Sequence, residues 1–319
     1  MKKCVSIGGQ ALIEGILMRS PEKTAMAVRL PDGQIDISYL EQKSLKDKYR
    51  VLRFPIIRGV VNFVESLIQG YKALMISAEK SGFADLEDEN TDKKKADAIL
   101  GVVMVIGSVL GVALAVALFM LVPRLAVQGT EMLFKTEFSK IARCTMEQVI
   151  KLMAFVAYVW AVSFMKDIKR TFMYHGAEHK TIFCYENGLP LTVENVRKQK
   201  RFHPRCGTSF MILMIVISIF VSTIIQAAFP LLYDKALLWV AVKILLVPLV
   251  CGLGYEVLKI CGKHDNIFTR IISAPGTWLQ RITTGEPDDK MIEIAIAAFL
   301  ACEPQKIECE TENDTTDNI

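Results

Sequence analysis

The chain has 319 residues, of which 52% are apolar and 23% charged, and its mean hydropathy is +0.33. That balance excludes an ordinary soluble globular composition and requires the charges to be segregated from the apolar residues. The net charge of +4 is modest and sits beside apolar stretches, which fits attraction to anionic lipid and gives no reason to expect a nucleic-acid partner.

Residues 1–20 imitate a signal peptide, because Lys2 and Lys3 precede an apolar run. Gln10 and Glu14 interrupt that run and no small-residue cleavage site follows, so the segment reads as mature sequence. Gly8, Gly9 and Gly15 flank Glu14 and point to a turn or a close backbone approach. Residues 24–30 and 34–39 are strand-like runs around Pro31-Asp32-Gly33, a β-hairpin signal. From 58 to 79, Val61, Val64, Leu67, Ile68, Tyr71 and Met75 recur at helical spacing and predict an amphipathic helix. Arg58, Asn62, Glu65 and Gln69 form a polar stripe on it, either a solvated face or a contact for substrate or lipid headgroup. Residues 1–82 therefore read as a small α+β cytoplasmic region, and 83–97 as a charged linker into the membrane.

Residues 98–122 and 208–233 carry no charge, and each exceeds the roughly 20 residues a helix needs to cross the hydrocarbon core. Residues 149–165, with Lys151, and 236–258, with Lys243 and Glu256, are further expected spans, since a lysine near a helix end snorkels to the headgroups. The expected fold class is mainly α, a polytopic membrane protein with about four transmembrane helices in 98–260. The 166–207 loop is rich in Lys and Arg, including Lys166, Lys169, Arg170, Arg197 and Arg201, which puts it on the cytoplasmic side. Four spans then put both termini in the cytoplasm. Residues 261–302 form a cytoplasmic C-terminal region, with a turn-rich loop over 275–289 and a helix over 289–301; the acidic tail 303–319 is expected to be disordered. The eight cysteines show no disulfide-like spacing and are expected to be thiols.

The chemistry concentrates in His175-Gly176-Ala177-Glu178-His179. On a helix, positions i and i+4 share a face, so both imidazoles reach one metal ion while Glu178 lies beside them. This is the H-x-x-E-H arrangement of inverted zincin proteases, in which the glutamate is the general base. A divalent metal there, zinc by its ligands, would bring the pKa of bound water towards about 7. Further donors are His203 and Cys206 in His203-Pro204-Arg205-Cys206, and Glu256 near the cytoplasmic end of the last span. Binding by His175, His179, His203 and Cys206 makes a closed structural site. Binding by three of His175, His179, His203 and Glu256 leaves a position for water and makes an open, catalytic one.

Five motifs resemble the bacterial YqhQ family of membrane proteins: 8–15 (GGQALIEG), 58–60 (RGV), 174–180 (YHGAEHK), 203–208 (HPRCGT) and 275–280 (PGTWLQ). The resemblance covers nearly the whole chain apart from the linker and the acidic tail. It implies a domain of unknown function labelled a predicted metal-dependent enzyme, and no particular substrate or reaction.

Three functions are compatible with these residues. The leading expectation is a membrane-embedded metal-dependent hydrolase, with Glu178 as base and His175 and His179 as ligands, acting on a membrane protein segment, a peptide or a lipid-linked ester. The second is a non-catalytic membrane scaffold or assembly factor whose metal only staples the loop to the spans. The third is a transporter using Glu256 and Lys243, which four spans without internal repeats make less attractive.

Overall fold

In the computed structural model of the protein, the described residues are 7–42, 44–82, 106–107, 109–111, 113–204, 206–263 and 266–303. The linker expected at 83–97, the first part of the span expected at 98–122 and the tail beyond residue 303 lie outside them.

Near the start of the chain, four strands form an antiparallel meander: β1 (Gly8–Leu12), β2 (Gly15–Arg19), β3 (Thr24–Arg29) and β4 (Ile35–Leu40). The β3–β4 hairpin is the one expected around Pro31-Asp32-Gly33. Gly33 takes a φ of +86°, and the Asp32 carboxylate accepts from the Gln34 N–H at 2.9 Å, the side-chain turn that favours Asp there. The β1–β2 pair is tighter, with Leu12 opposite Gly15 and only Ile13 and Glu14 between them.

Side chains alternate across the middle strands. Ile16, Met18, Ala25 and Ala27 face a core built with Tyr174, Ala177, Ile294, Ala298 and Phe299. Leu12, Leu17, Met26 and Val28 face Ala73 on the opposite side. The sheet is thus covered on both faces, by the helix Ile57–Lys80 on one and by Lys166–Glu186 and Asp289–Cys302 on the other. Asp288 caps the last of these by accepting from the Met291 N–H at 2.8 Å. The two ends of the chain therefore share one core.

Among the described residues, four helices are long and apolar enough to cross a membrane: Val109–Phe134, Lys140–Val162, Gly207–Ala228 and a stretch of Ala236–Lys263 from Leu238 to Cys261. The first continues well past the expected end at Val122, through Pro123. A π-helical turn at Ala117–Leu121 precedes that proline and absorbs the missing hydrogen bond. The second starts at Lys140, earlier than the expected 149, because Ser139 caps it by accepting from the Ala142 N–H. It stops at Val162, and the helix carrying the histidines begins separately at Lys166.

The segment expected as a loop over 275–289 is mostly helix, Ile267–Thr283, with Pro275 inside it. Thr277 Oγ1 donates to the carbonyls of Ser273 at 3.1 Å and Ala274 at 3.0 Å, and the apolar-polar periodicity of the segment overrides the local breaker. Its buried face, including Leu279 and Gln280, packs towards Gly207–Ala228, while Ile267, Phe268, Ile271 and Trp278 are exposed.

Glu14 joins the sheet to the histidine helix. It holds a φ of +50°, unfavourable for a non-glycine residue, and its carboxylate makes a bidentate pair with Arg170 and accepts from Tyr174 Oη at 3.0 Å. Burial alone would raise its pKa. The hydrogen bonds and charge of Arg170, and the Tyr174 bond, outweigh burial and hold the carboxyl below the usual carboxylate value. A group depressed in the folded state contributes stability that is whole above its unfolded value, here 4.5, and lost as pH falls below it. Glu14→Gln should lower the melting midpoint by about 2–4 °C at pH 7, the effect of about 1 kcal/mol from a partly exposed pair. The gap from the wild type should close as the pH is taken below 4.5, read by differential scanning fluorimetry.

Candidate metal centre

Helix Lys166–Glu186 carries the motif, and its residues Tyr174 to Ile182 are buried between the sheet, the C-terminal segment and the loop 197–206. Gly176 is what lets the C-terminal segment approach. A Cβ there would lie 2.0 Å from the Gly285 carbonyl oxygen, and the Gly285 N–H donates to Phe172 O at 2.7 Å.

The Nδ1 of His175 lies 2.8 Å from the Thr283 carbonyl, and that of His179 lies 2.5 Å from the Arg201 carbonyl. A carbonyl only accepts, so both Nδ1 atoms carry the proton and both lone pairs sit on Nε2. His175 Nε2 meets Cys206 Sγ at 3.1 Å, and ligand atoms of His175, His179 and Cys206 all lie within 4.8 Å of one another. Both imidazoles are thus held by their far nitrogens, with their near nitrogens turned to a shared point, the arrangement that orients metal-bound histidines. Two imidazoles and a thiol make a donor set that suits zinc better than magnesium or calcium.

Cys206 comes to that point because it is the N-cap of Gly207–Ala228, with its sulfur 3.4 Å from the Thr208 N–H. The partial positive charge at that helix start favours an anionic ligand. Gln280, wholly buried, sets the preceding loop: its Oε1 accepts from the His203 N–H at 2.7 Å, and its Nε2 donates to His203 O at 2.8 Å and to Ser209 Oγ at 3.0 Å.

Of the other expected ligands, neither belongs to the three-donor cluster. The ring of His203 is centred 5.7 Å from that of His179, and its Nε2 faces Glu186 at 3.4 Å. Glu256 makes a bidentate pair with Arg58, with Arg58 Nε 2.7 Å from its Oε1. Sequence reasoning missed Thr283 and Arg201, which act through backbone oxygens and leave no side-chain signature. It also missed the clamp by Gln280, whose signal was its place in the 275–280 motif.

Glu178 is buried beside the cluster. Burial pushes its pKa up to about 7, against the charge of His175 and a hydrogen bond from the Gly9 N–H, which pull it down. Its Oε2 has no hydrogen-bond partner among the described residues. Burial also lowers the pKa of His179, opposed by its hydrogen bond to Cys206. Strand β1 passes directly over Glu178. A Cβ on Gly9 would lie 2.9 Å from the carboxyl carbon. The same glycine lines a polar cavity of 540 Å³ between the sheet and helix Ile57–Lys80, together with Arg19, Asn62, Glu65 and Gln69. Three of the four residues of the polar stripe line this cavity, and the fourth, Arg58, holds Glu256.

Fold and site together define a mainly helical protein with four candidate membrane spans, a small antiparallel sheet and a buried cluster of two histidines and a cysteine able to hold a metal ion. The chain belongs to the family described as Protein of unknown function (DUF1385), which matches residues 54–305. It is 35% identical over 296 residues to Uncharacterized protein YqhQ of Bacillus subtilis (strain 168), across 92% of this chain and 90% of that protein. No solved structure matches it.

Purified protein should contain about one zinc per chain by plasma mass spectrometry. His175→Ala, His179→Ala and Cys206→Ala should each lose it, whereas His203→Gln and Glu256→Gln should retain it.

Proposed function

We propose that the chain is a metal-dependent hydrolase of the bacterial cytoplasmic membrane, working at its cytoplasmic face on a membrane-protein segment, a peptide or a lipid-linked ester. In this reading the 166–207 loop and both termini are cytoplasmic. The observation that carries it is the combination of three convergent donors with a buried carboxylate on the helical turn of the two histidines, one oxygen of which has no partner among the described residues. Three protein ligands with a fourth position left open is the pattern of catalytic zinc sites.

Zinc held there by His175, His179 and Cys206 would supply a Lewis acid able to polarise a carbonyl oxygen and to acidify water. His175 and His179 hold fixed orientations through the Thr283 and Arg201 carbonyls, so substrate positioning costs no reorganisation of the ligands. Glu178 is the group that takes the proton, with the Gly9 N–H fixing its carboxylate. Gly9 belongs to both parts of the site, since it touches Glu178 and lines the polar cavity.

The interfacial setting is supported by two helices. Ile57–Lys80 turns its polar stripe inward and leaves Val64, Leu67, Ile68 and Tyr71 exposed. Ile267–Thr283 does the same with Ile267, Phe268, Ile271 and Trp278. Apolar faces turned outward beside span helices fit helices lying in the headgroup region. Burial of all three donors favours a second reading, a structural metal that staples the motif helix to the start of Gly207–Ala228.

Glu178→Gln separates the two. Zinc-loaded wild type and variant should be compared against membrane-anchored peptides and lipid-linked esters, with products read by mass spectrometry. The hydrolase reading expects equal zinc and a loss of at least about 100-fold in rate. Equal turnover by the variant, or no turnover of any of these substrates by either protein, leaves the structural staple. A protein with Trp160→Phe and Trp239→Phe should show Trp278 quenched more by lipids brominated near the headgroup than near the chain end.

A further inference from the structure

Away from the histidines, the four span helices enclose a second feature that the hydrolase reading does not use. A cavity of 260 Å³ is lined by Met120 of the first, Lys151 of the second, Ser218 and Ser222 of the third and Lys243 of the fourth. The remaining wall is aliphatic, and Ile244 and Val247 within it are exposed on the outer surface of the bundle, so it borders whatever surrounds the spans.

Lys151 lies midway along Lys140–Val162, about 17 Å from either end of that helix at 1.5 Å per residue, and not at a helix end as its place in 149–165 suggested. Among the described residues no carboxylate lies within ion-pair reach of it, and the charge acting on it is that of Lys243, which repels. Lys243 has Glu147 at 3.9 Å and also feels Arg124. Lys243 thus acts on cations of two other helices, Lys151 and Arg124, with Glu147 beside it, and in a membrane span uncompensated charge is costly and marks a functional site. One turn beyond Ser222 on the same face, Gln226 is buried with neither amide atom hydrogen-bonded among the described residues. The excess positive charge, the two hydroxyls and the aliphatic wall open to the outer surface describe one kind of ligand.

We propose that this cavity binds an amphiphilic anion: a single apolar chain lying along the aliphatic wall and ending in a carboxylate or phosphate held by Lys151 and Lys243. The anionic head supplies the missing counter-charge, and the chain enters sideways past Ile244 and Val247. This site does not depend on the metal reading.

Full-length protein in a neutral maltoside detergent is titrated with laurate, dodecyl phosphate, dodecanol and inorganic phosphate by isothermal calorimetry. Laurate, dodecyl phosphate or both should bind at about one per chain, and the two arms identify the head group. Dodecanol and inorganic phosphate should bind at least about tenfold more weakly. Lys151→Met and Lys243→Met should each weaken anion binding at least about tenfold, while Lys151→Arg retains it. Comparable affinity for dodecanol or for inorganic phosphate, or unchanged affinity in both methionine variants, overturns the proposal. A measurement with both lysines intact guards against misfolding of those variants. Trp239, whose ring lies 5.3 Å from Lys243 Nζ, is left alone by Trp160→Phe and Trp278→Phe and exposed to brominated laurate or brominated dodecanol. Quenching by the anion only supports the site, and equal quenching by both or by neither overturns it.

Discussion

Two backbone carbonyls, those of Thr283 and Arg201, decide what the histidines can do. Each takes the proton-bearing nitrogen of one ring, and the other nitrogen is left facing Cys206. Remove those carbonyls and the rings are free to rotate or to change tautomer, and the three donors no longer meet. The rest of the architecture around the histidine helix can be read as the means of putting those oxygens in place. Gly176 admits the segment after Thr283, and Gln280 fixes the loop between Arg201 and Cys206.

The sheet is less remote from this centre than its position at the start of the chain suggests. β1 covers Glu178 with a glycine because any side chain there would occupy the carboxylate's place. Glu14, held in a left-handed conformation at the β1–β2 turn, is tied to Arg170 and Tyr174 on the helix that carries the histidines. Strain at that turn is thus balanced by an ion pair that also sets the sheet on the helix.

Much of this was legible before the structure. Pro31-Asp32-Gly33 marks its hairpin by turn chemistry, the 3.6-residue period marks Ile57–Lys80, and the histidines at i and i+4 mark a shared face. β1 and β2 were not legible as strands. Both faces of β2 are buried, so its residues are apolar without alternation and carry no period of two. Pro275 hid a helix because the breaker rule is local, whereas the packing of Leu279 and Gln280 is not. Glu256 looked like a ligand because an acid in an apolar helix demands a partner. It has one in Arg58, which lies 198 residues away in sequence.

The shared core of β2, β3 and Asp289–Cys302 has a consequence for biosynthesis. The strands meet Lys166–Glu186 midway through synthesis, but the second helix on that face, Asp289–Cys302, is made only after the four candidate span helices among the described residues. Thr283, the clamp on His175, arrives equally late. The shared core can therefore be completed only late, and until then the part of the strand surface that Asp289–Cys302 covers is exposed to chaperones or to aggregation.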